Sequence, residues 1–167
     1  MIVPLADRIV AAAPDASALY HRLILVVGPS GSGKTSALRE AARTQGWPMI
    51  NLNLRLSERL LELTKRQRAI SVTRLVDELI RALGGATAAL DNIELLFDSE
   101  LAVDPLRLLQ GLARDRTIIV AWPGSFDGTT LSYAAPGHAE SRRYAQPDAI
   151  IVTTDKPTES GHYQEQA

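Results

Sequence analysis

A glycine-rich stretch of eight residues, 28–35, constrains the fold of this chain more than any other feature of its sequence. It reads Gly28-Pro29-Ser30-Gly31-Ser32-Gly33-Lys34-Thr35. This order matches G-x-x-x-x-G-K-[ST], the pattern of a phosphate-binding loop, or P-loop. An aliphatic run at 23–27 precedes it and a helical pattern at 36–44 follows it. Because the P-loop pattern needs a strand before it and a helix after it, the stretch predicts an α/β fold.

The residue types in this loop suit a phosphate group. Glycines let the backbone curl so that successive N–H groups point at phosphate oxygens, and the positive end of the following helix adds to that field. Lys34 is predicted to reach the β- and γ-phosphates, and the Thr35 hydroxyl to hold Mg²⁺. ATP is favoured over GTP because no guanine-reading Asn/Thr-Lys-x-Asp segment is evident. The predicted nucleotide-binding residues are Gly28, Pro29, Ser30, Gly31, Ser32, Gly33, Lys34, Thr35 and Ser36.

Composition limits the class of protein. The chain has 167 residues, 46% of them hydrophobic and 22% charged, with a net charge of −1, as expected for one globular domain. The absence of cysteine excludes disulfides and thiolate metal sites and fits a reducing cytoplasm. No signal peptide or membrane-spanning run is evident. His21, His138 and His162 lie too far apart in sequence to favour a histidine metal site.

The hydrophobic pattern predicts a three-layer αβα P-loop domain over residues 1–153, followed by a flexible tail over 154–167. We expect a mostly parallel sheet of about five strands, because the aliphatic runs are continuous and so buried on both faces. The further predicted strands are 49–54, 86–90, 117–121, 129–134 and 149–152. Four further helices are predicted. The first covers 2–13 and is ended by Pro14, and the second covers 57–65. The third has Ser71 as its N-cap, and the fourth has Asp104 as its N-cap.

An acidic residue ends the predicted strand 86–90. An Asp at a strand end beside a P-loop can hold the water shell of Mg²⁺, and Asp91 stands at that position. Glu94 follows three residues later, where it could either polarise the attacking water or lie just outside the site. The same letters also fit a helix over 86–97, because alanine is a poor strand former. We predict Lys34, Asp91 and Glu94 as catalytic residues, with Thr35 and Asp91 as the Mg²⁺ ligands.

Three weaker signals leave alternatives open. Residues 55–74 are locally basic, which fits either a solvated helix face or a contact with DNA or an acidic partner. The first helix or Tyr20 could contact a nucleotide base. Arg142 and Arg143 could complete the site of a neighbouring copy in a homo-oligomer, or be ordinary surface residues.

The order of these elements resembles the additional-strand group of P-loop NTPases, and within it the AAA+ ATPases. In that group another strand lies between the P-loop strand and the Asp-bearing strand. The resemblance implies a catalytic Glu directly after the Asp, where this chain has Asn92, and a polar sensor residue after the next strand, where it has Trp122 with Ser125 close by. The helical lid domain of AAA+ proteins is not expected here.

A closer resemblance, over residues 1–153, is to the BrxF family, small ATPase-like components of type 3 bacteriophage exclusion (BREX) defence systems. The residues that carry it are GPSGSGKT, LDNIELLF at 90–97 and the Trp122-Pro123-Gly124 turn. It implies a cytoplasmic bacterial protein that acts with other defence proteins, some of which handle DNA.

Three functions therefore compete. The first is an Mg²⁺-dependent ATPase or ATP switch of an anti-phage defence complex. The second is a kinase of a small molecule or nucleotide, with Arg142 and Arg143 as a phosphate lid. The third is an interaction module that binds the nucleotide without hydrolysing it, which Asn92 favours.

Overall fold

The computed structural model describes residues 2–133 and 141–154 of the chain. The predicted tail from residue 155 onward, His138 and His162 lie outside the described residues. The helices are α1 (Leu5–Ala16), α2 (Lys34–Gln45), α3 (Leu52–Leu60), α4 (Lys65–Leu83) and α5 (Pro105–Leu112). The strands are β1 (Leu23–Gly28), β2 (Met49–Asn51), β3 (Thr87–Asp91), β4 (Thr117–Phe126), β5 (Thr130–Tyr133), β6 (Arg142–Ala145) and β7 (Ile150–Thr153). Two 3₁₀ turns, Glu94–Phe97 and Ser99–Leu101, lie between β3 and α5.

Five parallel strands form the main sheet in the order β2-β3-β4-β1-β7. Strand β5 pairs antiparallel with the end of β4, and β6 pairs with β5. The α/β architecture with a mostly parallel sheet is therefore confirmed. Strand β4 lies between the P-loop strand β1 and the Asp-bearing strand β3, so the carboxyl ends of all three meet at one edge of the sheet.

Strand β1 is buried on both faces, as its continuous aliphatic run predicts. Leu23, Leu25 and Val27 pack in the core on the side of α3, α4 and α5. Ile24 and Val26 pack on the other side, against α1 and α2. Helices thus cover both faces of the sheet. In the described part of the chain, no helix is both long and apolar enough to cross a membrane.

Helix α1 begins after Pro4 and runs through Pro14 to Ala16, so the prediction that Pro14 ends it is wrong. Proline removes one backbone donor, and in the last turn that loss is tolerated because the next donors still find partners. The amide of Ser17 donates to the carbonyl of Ala13 at 3.2 Å.

The second strand is shorter than predicted, because the backbone turns into α3 at Leu52. The side chain of Asn51 caps this helix, accepting a hydrogen bond from the Leu54 amide at 3.1 Å. Leu52, Leu56 and Leu60 are buried at helical spacing. The predicted strand over 49–54 is therefore correct only for Met49–Asn51. The helix predicted over 57–65 begins earlier, at Leu52, and ends earlier, at Leu60.

Helix α4 also begins earlier than predicted, since Thr64 rather than Ser71 is its N-cap. The Thr64 hydroxyl accepts from the Gln67 amide, and the Gln67 side chain accepts from the Thr64 amide, which is a capping box. Ser71 lies inside the helix. The end at Gly84 is as expected.

Strand β4 does not stop at the Trp122-Pro123-Gly124 turn but continues to Phe126. Its last residues pair with β5, where Gly124 faces Tyr133. A Cβ at Gly124 would lie 1.8 Å from the Ser132 carbonyl oxygen, so this close pairing requires glycine. Strand β6 lies in the polar stretch after residue 137, for which we predicted no strand.

Candidate nucleotide site

The P-loop leaves β1 at Gly28 and enters α2 at Lys34, which confirms the predicted strand, loop and helix. Gly31 and Gly33 have φ angles of 81° and 94°, a region that side chains other than glycine rarely adopt. The loop therefore has the curled backbone that a phosphate cradle needs.

At position 28 only glycine fits, because neighbouring side chains leave no room for a Cβ atom. A Cβ at this position would lie 2.4 Å from Thr154 Oγ1 and 2.6 Å from Ser32 Oγ. Thr154 follows β7, and its amide donates to the Val27 carbonyl at 2.9 Å. The start of the loop is thus packed against the end of the edge strand.

The groups around the loop fit an anion. The first amides of α2 have no partner within the helix, its N-cap Gly33 offers no side chain, and its first turn contains no acidic residue. Within the described residues, Ser32 Oγ is buried without a hydrogen-bond partner. Uncapped amides and an unpaired hydroxyl are what a triphosphate would satisfy.

Lys34 is folded over the loop and is 8% exposed. Its Nζ donates to the carbonyl oxygens of Gly28 at 2.7 Å and Pro29 at 2.8 Å. Burial lowers the pKa of Lys34, while the carboxylates of Asp91 and Glu94 act to raise it. The ammonium group is therefore close enough to both acidic residues to feel their charge.

Asp91 is the last residue of β3 and is 6% exposed, so the strand interpretation of this segment is correct and the helix interpretation is wrong. A pocket of about 330 Å³ lies at this end of the sheet. It is lined by Ser30, Gly31, Gly33, Lys34, Thr35, Ser36, Asp91, Asn92, Glu94, Ala121 and Pro123. The structure thus brings the predicted catalytic and Mg²⁺-binding residues together, with Gly28, Pro29 and Ser32 outside the pocket lining.

Glu94 is held by Asn53, a residue that the sequence did not suggest. Asn53 Nδ2 donates to Glu94 Oε1 at 2.9 Å, and Asn53 Oδ1 accepts from the Leu95 amide at 2.8 Å. The Asn53 amide donates to the carbonyl of Asn92 at 2.8 Å. Asn92 has a φ of 55°, a left-handed turn that asparagine tolerates. Asn92 and Glu94 both line the pocket beside Asp91, and of these two residues only Glu94 carries a carboxylate.

Trp122 does not occupy the sensor position that the AAA+ resemblance suggested. Its side chain is fully buried and its Nε1 donates to the Ser132 carbonyl at 3.1 Å. It faces the α3–α5 side of the sheet, where Phe97 packs edge-on against it at 5.2 Å. The neighbouring Pro123 lines the pocket instead, and Ser125 is exposed on the antiparallel part of β4.

The arginines and the tyrosine considered above lie outside the pocket lining. Arg142 and Arg143 are on β6, with Arg143 exposed and Arg142 partly buried. Tyr20 precedes β1, at the opposite edge of the sheet, where the Arg114 guanidinium lies 4.7 Å from its ring centre. Tyr20 therefore does not line this pocket.

Most basic side chains of the segment 55–74 make contacts within the chain. Arg59 and Arg74 both pair with Glu78, at 2.7 and 2.9 Å. Arg68 donates to the backbone carbonyls of Leu60 and Leu63. The remaining ion pairs are Arg55 with Glu58 and Lys65 with Glu100, each at 3.4 Å. These pairs favour the solvated-face interpretation over a strongly basic DNA-binding surface.

No protein-only metal cage is present in the part of the chain that the structure describes, since no three His, Cys, Asp or Glu side chains are grouped to hold an ion. Thr35 and Asp91 fit a different arrangement, in which Mg²⁺ takes few protein ligands and completes its shell with phosphates and water.

Comparison with known proteins finds similarity among solved structures alone. No protein-family model matches the chain, and no curated protein matches it. Among solved structures, the chain is similar to PCH-2 from C. elegans, with a TM-score of 0.47 and 16% sequence identity. The alignment covers 92% of this chain and 42% of the PCH-2 chain, so this chain spans less than half of that protein. At this identity the likeness concerns the fold alone.

Proposed function

We propose that this protein binds ATP with Mg²⁺ at its P-loop and hydrolyses the terminal phosphate, with Glu94 accepting a proton from the attacking water. The observation that carries the proposal is the meeting of Lys34, Asp91 and Glu94 at one pocket. In that pocket the P-loop amides and Lys34 would stabilise charge on the phosphates. The Thr35 hydroxyl and the Asp91 carboxylate would hold Mg²⁺, which neutralises phosphate charge.

Asn53 supports the role of Glu94. A general base must be held within hydrogen-bond reach of the proton that it takes. The bond from Asn53 fixes one oxygen of the Glu94 carboxylate, and the other oxygen has no partner among the described residues. The carboxylate is thus oriented with one acceptor oxygen for water, although Asn92 occupies the position where the AAA+ resemblance implies a glutamate.

Two variants separate binding from hydrolysis. Lys34→Ala should weaken Mg-ATP binding, measured by calorimetry, because the main cation of the pocket is lost. Glu94→Gln should keep Mg-ATP binding and lower phosphate release by roughly 10²-fold, the usual scale for a general base. Unchanged phosphate release in Glu94→Gln would contradict the role of Glu94. Binding of ATP by the wild type without any phosphate release would favour the non-hydrolysing module.

In the cell, we propose that the protein is a cytoplasmic component of a bacterial anti-phage defence complex. This rests only on the sequence resemblance to the BrxF family, over residues 90–97 and the Trp122-Pro123-Gly124 turn. In bacteria that carry a type 3 BREX locus with this gene deleted, the wild-type gene should restore resistance to phage, and Lys34→Ala should not. Full resistance with Lys34→Ala would contradict an ATP-dependent role in defence.

We also propose that the protein acts as a homo-oligomer, in which Arg142 or Arg143 of one copy reaches the pocket of the next. Both lie on β6, outside the pocket of their own chain. ATP turnover per molecule should then rise with protein concentration, and Arg143→Ala should abolish that rise.

We also propose a contact with DNA through residues 55–74, which would appear as ATP turnover stimulated by DNA. The ion pairs described above reduce the positive charge of this segment.

A further inference from the structure

A second groove adjoins the phosphate pocket on the other side of Glu94. Its volume is about 610 Å³, and it is wide open to solvent. It is lined by Asn51, Asn53, Leu54, Ser57, Asn92, Glu94, Leu95 and Asp98. Asn92 and Glu94 line both cavities. The Glu94 carboxylate therefore lies at the junction between the P-loop pocket and a separate binding space.

The lining of this groove favours a particular ligand chemistry. It contains three asparagine amides, one serine hydroxyl and two carboxylates, and no lysine or arginine. Such groups hydrogen-bond to hydroxyl and amino groups. The carboxylates of Glu94 and Asp98 would repel a phosphate or a carboxylate. The groove is thus suited to a neutral or cationic polar molecule.

Part of this hydrogen-bonding capacity is already used by the protein. Asn51 Oδ1 accepts from the Leu54 amide, and Asp98 Oδ1 accepts from the Glu100 amide. One oxygen of Glu94 is taken by Asn53. Within the described residues, no partner is found for the Asn51 amide NH₂, for the side-chain amide of Asn92, or for the second carboxylate oxygens of Glu94 and Asp98. Two donor groups and three acceptors thus remain for a ligand.

We propose that this groove binds a hydroxyl-bearing molecule without negative charge, such as a nucleoside, a sugar or an amino sugar, as acceptor of the terminal phosphoryl group of ATP. This inference rests on two parts of the proposed function, the binding of Mg-ATP and the role of Glu94 as proton acceptor; when the groove is occupied, the hydroxyl of the bound molecule attacks in place of water. The acceptor oxygen bonds to the γ-phosphorus, and its proton passes to the Glu94 carboxylate. The bond from the γ-phosphorus to the bridging oxygen breaks, and ADP leaves with the electron pair.

Phosphotransfer has a signature that hydrolysis lacks, because ADP forms without inorganic phosphate. Both products are measured with ATP and Mg²⁺ in the presence of adenosine, cytidine, glucose or glucosamine, and of AMP and CMP as anionic controls. At least one uncharged or cationic compound should raise ADP formation roughly tenfold above phosphate release, a modest gain for a positioned reactant. AMP and CMP should not. Equal ADP and phosphate with all four acceptors would overturn the inference.

A groove-filling variant tests the location. Ser57 is an exposed residue of α3 that lines the groove. Ser57→Phe should therefore fold, which thermal unfolding would check. The phenylalanine should fill the groove and abolish the excess of ADP over phosphate. Glu62→Phe places the same side chain at an exposed position outside the groove lining and should keep that excess. An excess that survives in Ser57→Phe would overturn the inference. Calorimetry with ATP alone separates the two proposals, since a wild type that binds no ATP would overturn the proposed function, and this inference with it.

Discussion

Asn53 and Glu94 are joined by a side-chain hydrogen bond of 2.9 Å, from Nδ2 to Oε1. The same asparagine accepts from the Leu95 amide, so one side chain fixes both the carboxylate and the backbone that carries it. Asn53 follows β2, and Glu94 follows β3, which is the neighbouring strand. The pairing of these two strands therefore sets where the carboxylate lies relative to Lys34.

Replacing Asn53 should impair turnover more than binding. Asn53→Ala removes the bond to Glu94, and a hydrogen bond to a charged group is worth about 1.5–3 kcal/mol. We expect kcat for ATP hydrolysis to fall by roughly tenfold or more, with the Kd for Mg-ATP within about twofold of the wild type because Asn53 does not line the phosphate pocket. Asp77→Ala, which removes only an exposed ion pair with Arg81, is the control and should leave kcat unchanged. A normal kcat in Asn53→Ala would exclude this role.

Asp91 should matter for nucleotide binding only when Mg²⁺ is present. Asp91→Asn keeps the shape of a buried side chain and removes its charge, so the expected loss is in the affinity for Mg-ATP, by roughly tenfold. Titration of ATP with Mg²⁺ and with excess EDTA measures the two affinities. A similar loss under both conditions would indicate disruption of the pocket rather than loss of an Mg²⁺ ligand.

Gly28 should not tolerate even a methyl group. Gly28→Ala places a Cβ against the hydroxyls of Thr154 and Ser32, and overpacking of this kind costs about 1–3 kcal/mol. We expect a lower urea midpoint and weaker ATP binding. The double variant Gly28→Ala/Thr154→Ala removes the closest contact and should recover part of the stability. No recovery would mean that the strain arises elsewhere in the loop.

Lys34 should make the free energy of unfolding rise with pH under alkaline conditions. Burial lowers the pKa of Lys34 below its ordinary value of 10.5. Between the lowered pKa and 10.5 the unfolded chain holds more protons than the folded chain, so stability increases with pH in that window. Urea unfolding of the wild type and of Lys34→Met from pH 8 upward measures the difference. The raised pKa of Tyr144 acts with the opposite sign, but it is present in both proteins and cancels. A constant difference between the two proteins would refute the burial effect.

The P-loop strand, the helix after it and the Asp91 strand end could be predicted because their signals are local. The aliphatic run of β1 and the glycine spacing of 28–35 determine the structure over a few residues. By contrast, the alternation in Asn51-Leu52-Asn53-Leu54 fits a strand. The cap from Asn51 and the burial of Leu52, Leu56 and Leu60 prevail over it.

The role of Asn53 could not be predicted for a different reason. Its bond to Glu94 joins residues 41 positions apart, and it depends on the helical turn that the alternating pattern concealed. Likewise, the sequence alone suggests that the strand ends near Gly124. The structure shows instead that Gly124 lies within β4, facing Tyr133 and packed against the Ser132 carbonyl. Contacts between distant segments decide both features, and single-sequence patterns do not contain them.

The buried position of Trp122 gives the protein an intrinsic optical probe. The chain has only two tryptophans, and Trp122 contacts Phe97, the last residue of the turn that Glu94 begins. In a Trp47→Phe background, Trp122 becomes the sole indole fluorophore. Because Trp122 packs against Phe97, its emission reports on the turn Glu94–Phe97 in real time. Movements of this turn during ATP turnover can then be followed without an attached dye.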